Sequence, residues 1–292
     1  MTWLDLLIAV ACVAGVLGFI SVVALVAIWT ERKISAHIHD RLGPMETGGF
    51  HGWAQTIADM VKLLQKEDII PDAADKPLFK LAPYIVLSAT IASFVVLPFG
   101  AHLIGTDLNI GIYYLVAISS LEVAGILMAG WASNNKWALF GGMRSASQMI
   151  SFEIPIGLSL LIPIMIVGSL SMQDLVGAQA GGFWNWGVFS HLPFAMIAFI
   201  VYFWASLAEV NRTPFDLPEG ESELVAGFHV EYSGMRFAMF FLAEFANMFL
   251  VAGVAVALFL GGWHAPFSFL EISAESNVIL HNLVGFFWFA SK

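Results

Sequence analysis

Long apolar stretches separated by short polar ones dominate the sequence. Seven are legible, at about 4–30, 79–100, 110–131, 145–170, 190–208, 237–260 and 278–291. Roughly 20 helical residues cross a hydrocarbon core about 30 Å thick, and most of the seven meet that length. The pattern predicts an all-α membrane protein, a polytopic helical bundle with about seven visible transmembrane segments. The last has only about 14 residues before Lys292 and would rise about 21 Å. The expectation is therefore a helix cut short, with eight spans in the full chain and residues 1–292 forming a single integral membrane domain.

Two polar stretches carry patterning of their own. Trp53, Ile57, Met60, Val61 and Leu64 recur at helical spacing, with Gln55, Asp59, Lys62 and Lys66 between them. This predicts an amphipathic helix lying along the membrane face; plain interfacial packing and a functional polar surface both explain it. Residues 209–236 interleave acids with Leu217, Leu224, Val225, Phe228 and Tyr232, which a merely solvated acidic loop does not need. Pro214 and Pro218 break helix formation early and Gly220 permits a tight turn. The expectation is a segment folded back into a protein-lined cavity; a solvated acidic loop is the competing reading.

Lysine and arginine fix the orientation. Arg32, Lys33, Arg41, Lys62, Lys66, Lys76 and Lys80 follow the first span, Lys136 and Arg144 the third, and Arg212 and Arg236 the fifth, while 101–109, 171–189 and 261–277 have none. By the positive-inside rule, loops 31–78, 132–144 and 209–236 are cytoplasmic and the N-terminus is periplasmic. Trp3, Trp29, Trp131, Trp137, Trp184, Trp186 and Trp263 sit near segment ends, as interfacial anchors do.

The chain is 59% hydrophobic and 12% charged, with a mean hydropathy of +0.82. A soluble domain is typically about 25% charged. Cys12 is the only cysteine, which excludes an internal disulfide, a cysteine-ligated iron–sulfur cluster and a cysteine-rich zinc site. There is no phosphate-binding glycine motif, and no internal repeat of the kind that marks many secondary transporters.

The net charge of −10 matters because some of the acids lie inside spans. Glu122 is near the middle of span three. Glu153 and Glu244 lie about 13 Å and about 10 Å from the starts of spans four and six. A carboxylate at a helix centre costs about 2.5–3.5 kcal/mol on insertion scales. Desolvation favours the neutral acid, so such groups suit proton uptake and release; neutral interhelical hydrogen bonding is the alternative. Gln148 and Ser151 flank Glu153, and Asn247 is one turn from Glu244. Pro155 and Pro163 predict a bent fourth span beside a wet cavity.

Five blocks resemble one family. They are ERKISAHIHDRLGP at 31–44, ADMVKLLQKEDIIP at 58–71, MAGWASNN at 128–135, RSASQMISFEI at 144–154 and AEVNRTPFDLPEGESELVAGFHVEYSGMRFAMFFLAEFANM at 208–248. In order and spacing they are similar to the H-subunit family of NADH–quinone oxidoreductase (respiratory complex I), the counterpart of subunit 1 in the mitochondrial enzyme. That resemblance implies a protein that anchors the peripheral redox arm, forms the membrane end of a quinone chamber and starts proton translocation. It implies partners among the peripheral iron–sulfur and quinone-site subunits and the neighbouring membrane-arm subunits. It also implies ubiquinone or menaquinone as substrate, no metal or flavin bound by this chain, no nucleic acid, and a bacterial inner membrane.

Carried onto these motifs, Glu31, Arg32 and Arg41 fall near the quinone entrance, with Asp59, Lys62, Glu67 and Asp68 from the amphipathic segment. Arg212, Phe228 and Tyr232 join the chamber. The proton path comprises Glu209, Asp216, Glu219, Glu221, Glu223 and Glu231, continued by Glu153, Glu244 and Glu122. No residue here can carry an electron. The homologous anchor subunit of a membrane-bound hydrogenase or ferredoxin-linked complex, a free-standing transporter and a passive scaffold are the competing expectations.

Overall fold

A computed structural model describes residues 3–218, 220–270 and 278–292. Glu219 and the side chain of Glu221 lie outside the described residues. The helices are α1 Trp3–Ile38, α2 Gln55–Gln65, α3 Lys76–Ser93, α4 Gly111–Ala132, α5 Lys136–Val167, α6 Met172–Gly177, α7 Gly187–Ser190, α8 Phe194–Glu209, α9 Glu221–Leu224, α10 Gly234–Phe259 and α11 Val278–Ser291. Among the described residues there are no strands. The chain is an all-α membrane protein.

Each of the seven apolar segments forms a helix. Five, within α1, α3, α4, α5 and α10, are long and apolar enough to cross a membrane; Phe194–Glu209 and Val278–Ser291 are apolar but shorter. At 1.5 Å per residue the 16 residues of α8 rise about 24 Å.

Two segment ends differ from the sequence expectation. The first apolar block ends near Thr30, yet α1 continues to Ile38, so Glu31, Arg32 and Lys33 stand on a helix and not in a loop. The extension ends where Asp40 turns left-handed at φ 51 and the Arg41 N–H bonds back to the Ala36 carbonyl at 2.9 Å, a left-handed C-terminal cap. The expected loop at 132–144 shrinks to three residues, 133–135. Asn134 takes φ 47, and the Asn135 side chain accepts the Trp137 N–H at 2.9 Å, an N-cap that starts α5 at once. Lys136 and Arg144 therefore sit on α5. Pro155 and Pro163 both lie inside α5, which remains one helix through them.

The chain forms two compact units, the first made of 1–91, 124–143 and 218–249, the second of 92–123, 144–217 and 250–292. In the first, small residues let backbones meet. A Cβ on Gly130 would fall 2.8 Å from the Ala138 carbonyl, and one on Gly141 would fall 2.5 Å from the Gly227 Cα. Such small-residue contacts let backbones approach where lipid supplies no hydrophobic drive. In the second, Gln179 is saturated: its amide donates to the Leu175 and Ala257 carbonyls and accepts from the N–H groups of Gly187 and Gly261. The Lys292 ammonium donates to the carbonyls of Leu260, Gly262 and His264 and lies 4.0 Å from the Trp186 ring centroid.

The Gly141 contact yields a prediction. Gly141→Ala forces its new methyl into the Gly227 backbone and costs about 1–3 kcal/mol. The thermal unfolding midpoint of the purified protein is expected several degrees lower; an unchanged midpoint would show that the 227 turn yields freely.

Candidate functional site

In the first unit, α1, α2 and α10 enclose a cavity of about 320 Å³. From α1 come Ser21, Ala24, Leu25, Ile28 and Arg32, which recur on one helical stripe rising about 16 Å. Phe237, Ala238, Phe241 and Leu242 face it from α10, and Thr56, Asp59, Met60, Lys62 and Leu63 from α2. Arg32 and Asp59 form an ion pair, and the Gln55 amide donates to the other Asp59 oxygen at 3.2 Å. The walls are mainly apolar and the charges gather around Arg32, Asp59 and Lys62. Such a slot suits an amphiphile with a polar head and a hydrocarbon tail.

The anticipated stripe of α2 is not what holds that helix in place. Thr56 is buried, and its hydroxyl donates to the Leu25 carbonyl of α1 at 3.3 Å. Met60 lines the cavity, whereas Trp53, Ile57, Val61 and Leu64 are exposed. Periodicity located the helix, but Thr56 carries no hydrophobic signal.

The later part of the acidic loop, also in the first unit, is stitched down. The Ser233 hydroxyl accepts the Ile69 N–H at 3.1 Å and donates to the Glu67 carbonyl at 3.2 Å. Gly234 holds φ +59 with the Lys66 carbonyl 3.1 Å from where a Cβ would stand, so only glycine fits without strain. Arg236 pairs with Asp68 at 2.9 Å and stands 5.9 Å from the Phe79 ring centroid. Tyr232 stacks face to face on Phe79, centroids 4.0 Å apart, and its hydroxyl donates to the Phe79 carbonyl at 3.1 Å. Burial pushes the Tyr232 phenol well above its usual range, the Arg236 charge opposing this only in part, so it remains a donor. The Glu231 carboxylate accepts from the Asn135 amide at 2.6 Å; the sequence motif contained Asn135, but nothing local marked its partner. Of the loop's apolar residues Leu224 and Tyr232 are buried, while Leu217 and Val225 are exposed.

The second unit gathers carboxyl groups. Glu122 is buried, and Glu153 and Glu209 are half-buried. Glu122 and Glu153 lie close enough to Glu209 for their charges to act on it. Here α4, α5 and the end of α8 each contribute one acid. The Gln148 amide, on α5 just before Glu153, donates to the Ala208 and Phe215 carbonyls, each at 2.7 Å, and Ser151 donates to the Ser147 carbonyl of its own helix. Phe152 and Phe215 pack with centroids 5.7 Å apart.

Of the anticipated chamber residues, Arg32, Asp59 and Lys62 come together at the cavity. Glu31, Arg41, Glu67 and Asp68 do not line it, and Phe228 and Tyr232 pack against Phe240. Arg212 and Asp216 belong to the second unit and Glu223, Glu231 and Glu244 to the first; Glu223 is exposed and Glu244 half-buried.

Residues 10–292 match the protein family described as NADH dehydrogenase. The chain is 51% identical over 272 residues to the H subunit of the NADH-quinone oxidoreductase of Anaeromyxobacter dehalogenans, covering 93% of this chain and 65% of that protein. It is 51% identical over 280 residues to the corresponding H subunit of Chlorobaculum tepidum, covering 94% and 77%. The chain belongs to this family. It spans a little under two thirds of the first relative's length. The H subunit of the Chlorobium luteolum NADH-quinone oxidoreductase is 49% identical over 282 residues, covering 94% and 74%. All five motif blocks fall within the matched residues, as do the cavity and the carboxyl group of the second unit.

His229 gives a pH prediction for this family member. It packs edge-on against Phe228 and Phe237, with centroids 5.0 and 5.3 Å away, and burial pulls its pKa from 6.5 down to about 4. The folded segment therefore takes up the proton less readily than the unfolded one, and its stability, full above pH 6.5, falls as pH drops toward 4. Amide protection factors across 227–233, corrected for the pH dependence of intrinsic exchange, are expected to fall over that window, and His229→Gln is expected to flatten the dependence. Protection factors independent of pH in the native protein would contradict the assignment.

Proposed function

We propose that this chain is the membrane subunit of a proton-translocating NADH–quinone oxidoreductase. It forms the membrane side of the quinone chamber, holds the peripheral redox arm and couples quinone reduction to proton movement. It works in the bacterial inner membrane with the N-terminus periplasmic. Its partners are the peripheral iron–sulfur and quinone-site subunits and the neighbouring membrane-arm subunits. Ubiquinone or menaquinone is the substrate, and electrons arrive through other subunits.

The observation that carries this reading is the cavity of α1, α2 and α10. Its apolar stripe from Ser21 to Ile28 fits an isoprenoid tail, and the Arg32–Asp59 pair with Lys62 supplies charge at the headgroup end. Reduction of a quinone to a quinol consumes two electrons and two protons, so the headgroup presents a changing charge to these side chains. The acids Glu122, Glu153 and Glu209 are the groups that answer it, because they come from three helices and the charges of the first two reach the third. Asp216, Glu219, Glu221, Glu223, Glu231 and Glu244 complete the proposed path.

Two experiments test it. In inside-out vesicles carrying the assembled complex, Glu153→Gln is expected to lower quinone-linked proton pumping by roughly tenfold or more, with assembly on native gels intact. Full pumping would instead support a passive scaffold. Ala24→Phe, which fills the apolar part of the slot, is expected to raise KM for a long-tailed quinone by roughly tenfold and to leave a short-tailed analogue nearly unaffected. Equal effects on both quinones would place the tail elsewhere.

A further inference from the structure

The turn between α1 and α2 is wired to the charged end of the cavity through one side chain. Thr47 Oγ1 donates to Gln55 Oε1 at 2.8 Å, Gln55 Nε2 donates to Asp59 Oδ1 at 3.2 Å, and Asp59 Oδ2 accepts from Arg32 Nη1. These residues form one chain of hydrogen bonds, all within the first unit. Arg32 and Asp59 line the cavity; Thr47 and Gln55 do not.

The chemistry gives the chain a direction. An aspartate paired with arginine is an acceptor only, so Gln55 turns its NH2 toward Asp59 and its carbonyl oxygen the other way. Thr47 supplies the donor which that oxygen then needs. A hydroxyl can serve either face of an amide, but a carboxylate cannot: a reversed Gln55 would set oxygen against oxygen at Asp59. Thr47 and Asp59 together hold the amide in one orientation. Asp59, bonded at both of its oxygens, is fixed along with the Arg32 nitrogen it binds.

The turn is built to deliver Thr47. Lys33 Nζ of α1 donates to the Pro44 carbonyl, the Gly49 N–H to the Glu46 carbonyl at 3.1 Å, and Trp53 Nε1 to the Gly48 carbonyl at 3.0 Å. Gly48 holds φ +83, and a Cβ there would fall 2.5 Å from the Ala54 Cβ. Glycine lets the turn close on the residue just before Gln55. Thr47 does not serve as a helix cap: Ala54, the N-cap of α2, has no side-chain cap bond, and the hydroxyl goes to the Gln55 side chain instead.

We propose that Thr47 and Gln55 are positioning residues for the quinone headgroup. They set Asp59, and Asp59 sets the Arg32 guanidinium at the charged end of the slot. Arg32 gives one nitrogen to Asp59 and keeps further N–H groups for a quinone carbonyl oxygen, which is an acceptor. Groups held ready in this way bind without first losing their freedom of movement. The role rests on the reading that the cavity takes the quinone; the hydrogen-bond chain itself stands on geometry.

In the assembled complex, Thr47→Val keeps the shape of the side chain and removes its donor. It is expected to raise KM roughly three- to tenfold for long- and short-tailed quinones alike, with kcat within about twofold. Thr47→Ser is expected to keep the native KM. Gln55→Leu is expected to raise KM roughly tenfold, and adding Thr47→Val to it to change nothing further, because Thr47 acts through Gln55. Additive effects, a Thr47→Ser variant as impaired as Thr47→Val, or an effect confined to long-tailed quinones would overturn the inference. If a variant does not assemble, a map of the unsubstituted complex decides: the Gln55 amide must lie within hydrogen-bond distance of both Thr47 and Asp59, and a Gln55 turned onto a partner subunit refutes the role. Arg32→Met separates the two levels. Should it leave KM unchanged, the cavity reading itself fails; should it raise KM while Thr47→Val and Gln55→Leu do not, only the positioning role falls.

Discussion

A carboxyl group in a bilayer has few ways to exist, and most of this structure follows from that restriction. Water is absent from the hydrocarbon region, so each acid in an apolar helix must be neutral, paired or joined to a wet route. Glu122, Glu153 and Glu209 come from three different helices and lie within reach of one another's charge. Helices otherwise indifferent to their neighbours in lipid acquire a reason to assemble in one arrangement. The polar side chains around them, Gln148 and Asn211, spend their donors on backbone carbonyls and on Ser145, fixing the turn where α8 ends.

The backbone obeys the same rule. The hairpin between α4 and α5 closes in three residues because Asn135 caps one end with its oxygen and uses its nitrogen on Glu231. Gln179 does comparable work in the second unit, serving four backbone groups with one amide. Side-chain amides recur at places where irregular chain would otherwise leave backbone groups unmet.

The sequence carried the helices well, because hydrophobic length is a direct readout of the solvent a segment faces. All seven apolar blocks fold as helices, and the amphipathic segment is a helix too. Helix ends were less legible. α1 runs past its apolar block on residues whose charges mask its continuation, and α5 begins early because of a cap that depends on one asparagine. The site was legible by residue type and only partly by arrangement. Asp59 and Lys62 stood out as charges on an apolar helix and do meet Arg32 at the cavity. The alignment of Thr56 with Leu25, and of Gln148 with two distant carbonyls, depends on tertiary approach that no local pattern encodes. The acidic loop announced itself by mixing acids with apolar residues, but Leu224 and Tyr232 turn inward while Leu217 and Val225 do not; that choice is made by packing partners far away in sequence.

The face-to-face pair of Tyr232 and Phe79 has a mechanical consequence. The two rings are parallel to within 1°, the phenol is tied back to the Phe79 backbone, and Ser233 beside it grips the stretch of chain that leaves α2. The start of α3, the exit from α2 and the root of α10 are thereby clasped at one knuckle. A displacement of α2 when its slot fills cannot dissipate in a slack connector; it arrives at the base of α10 as a push or a twist.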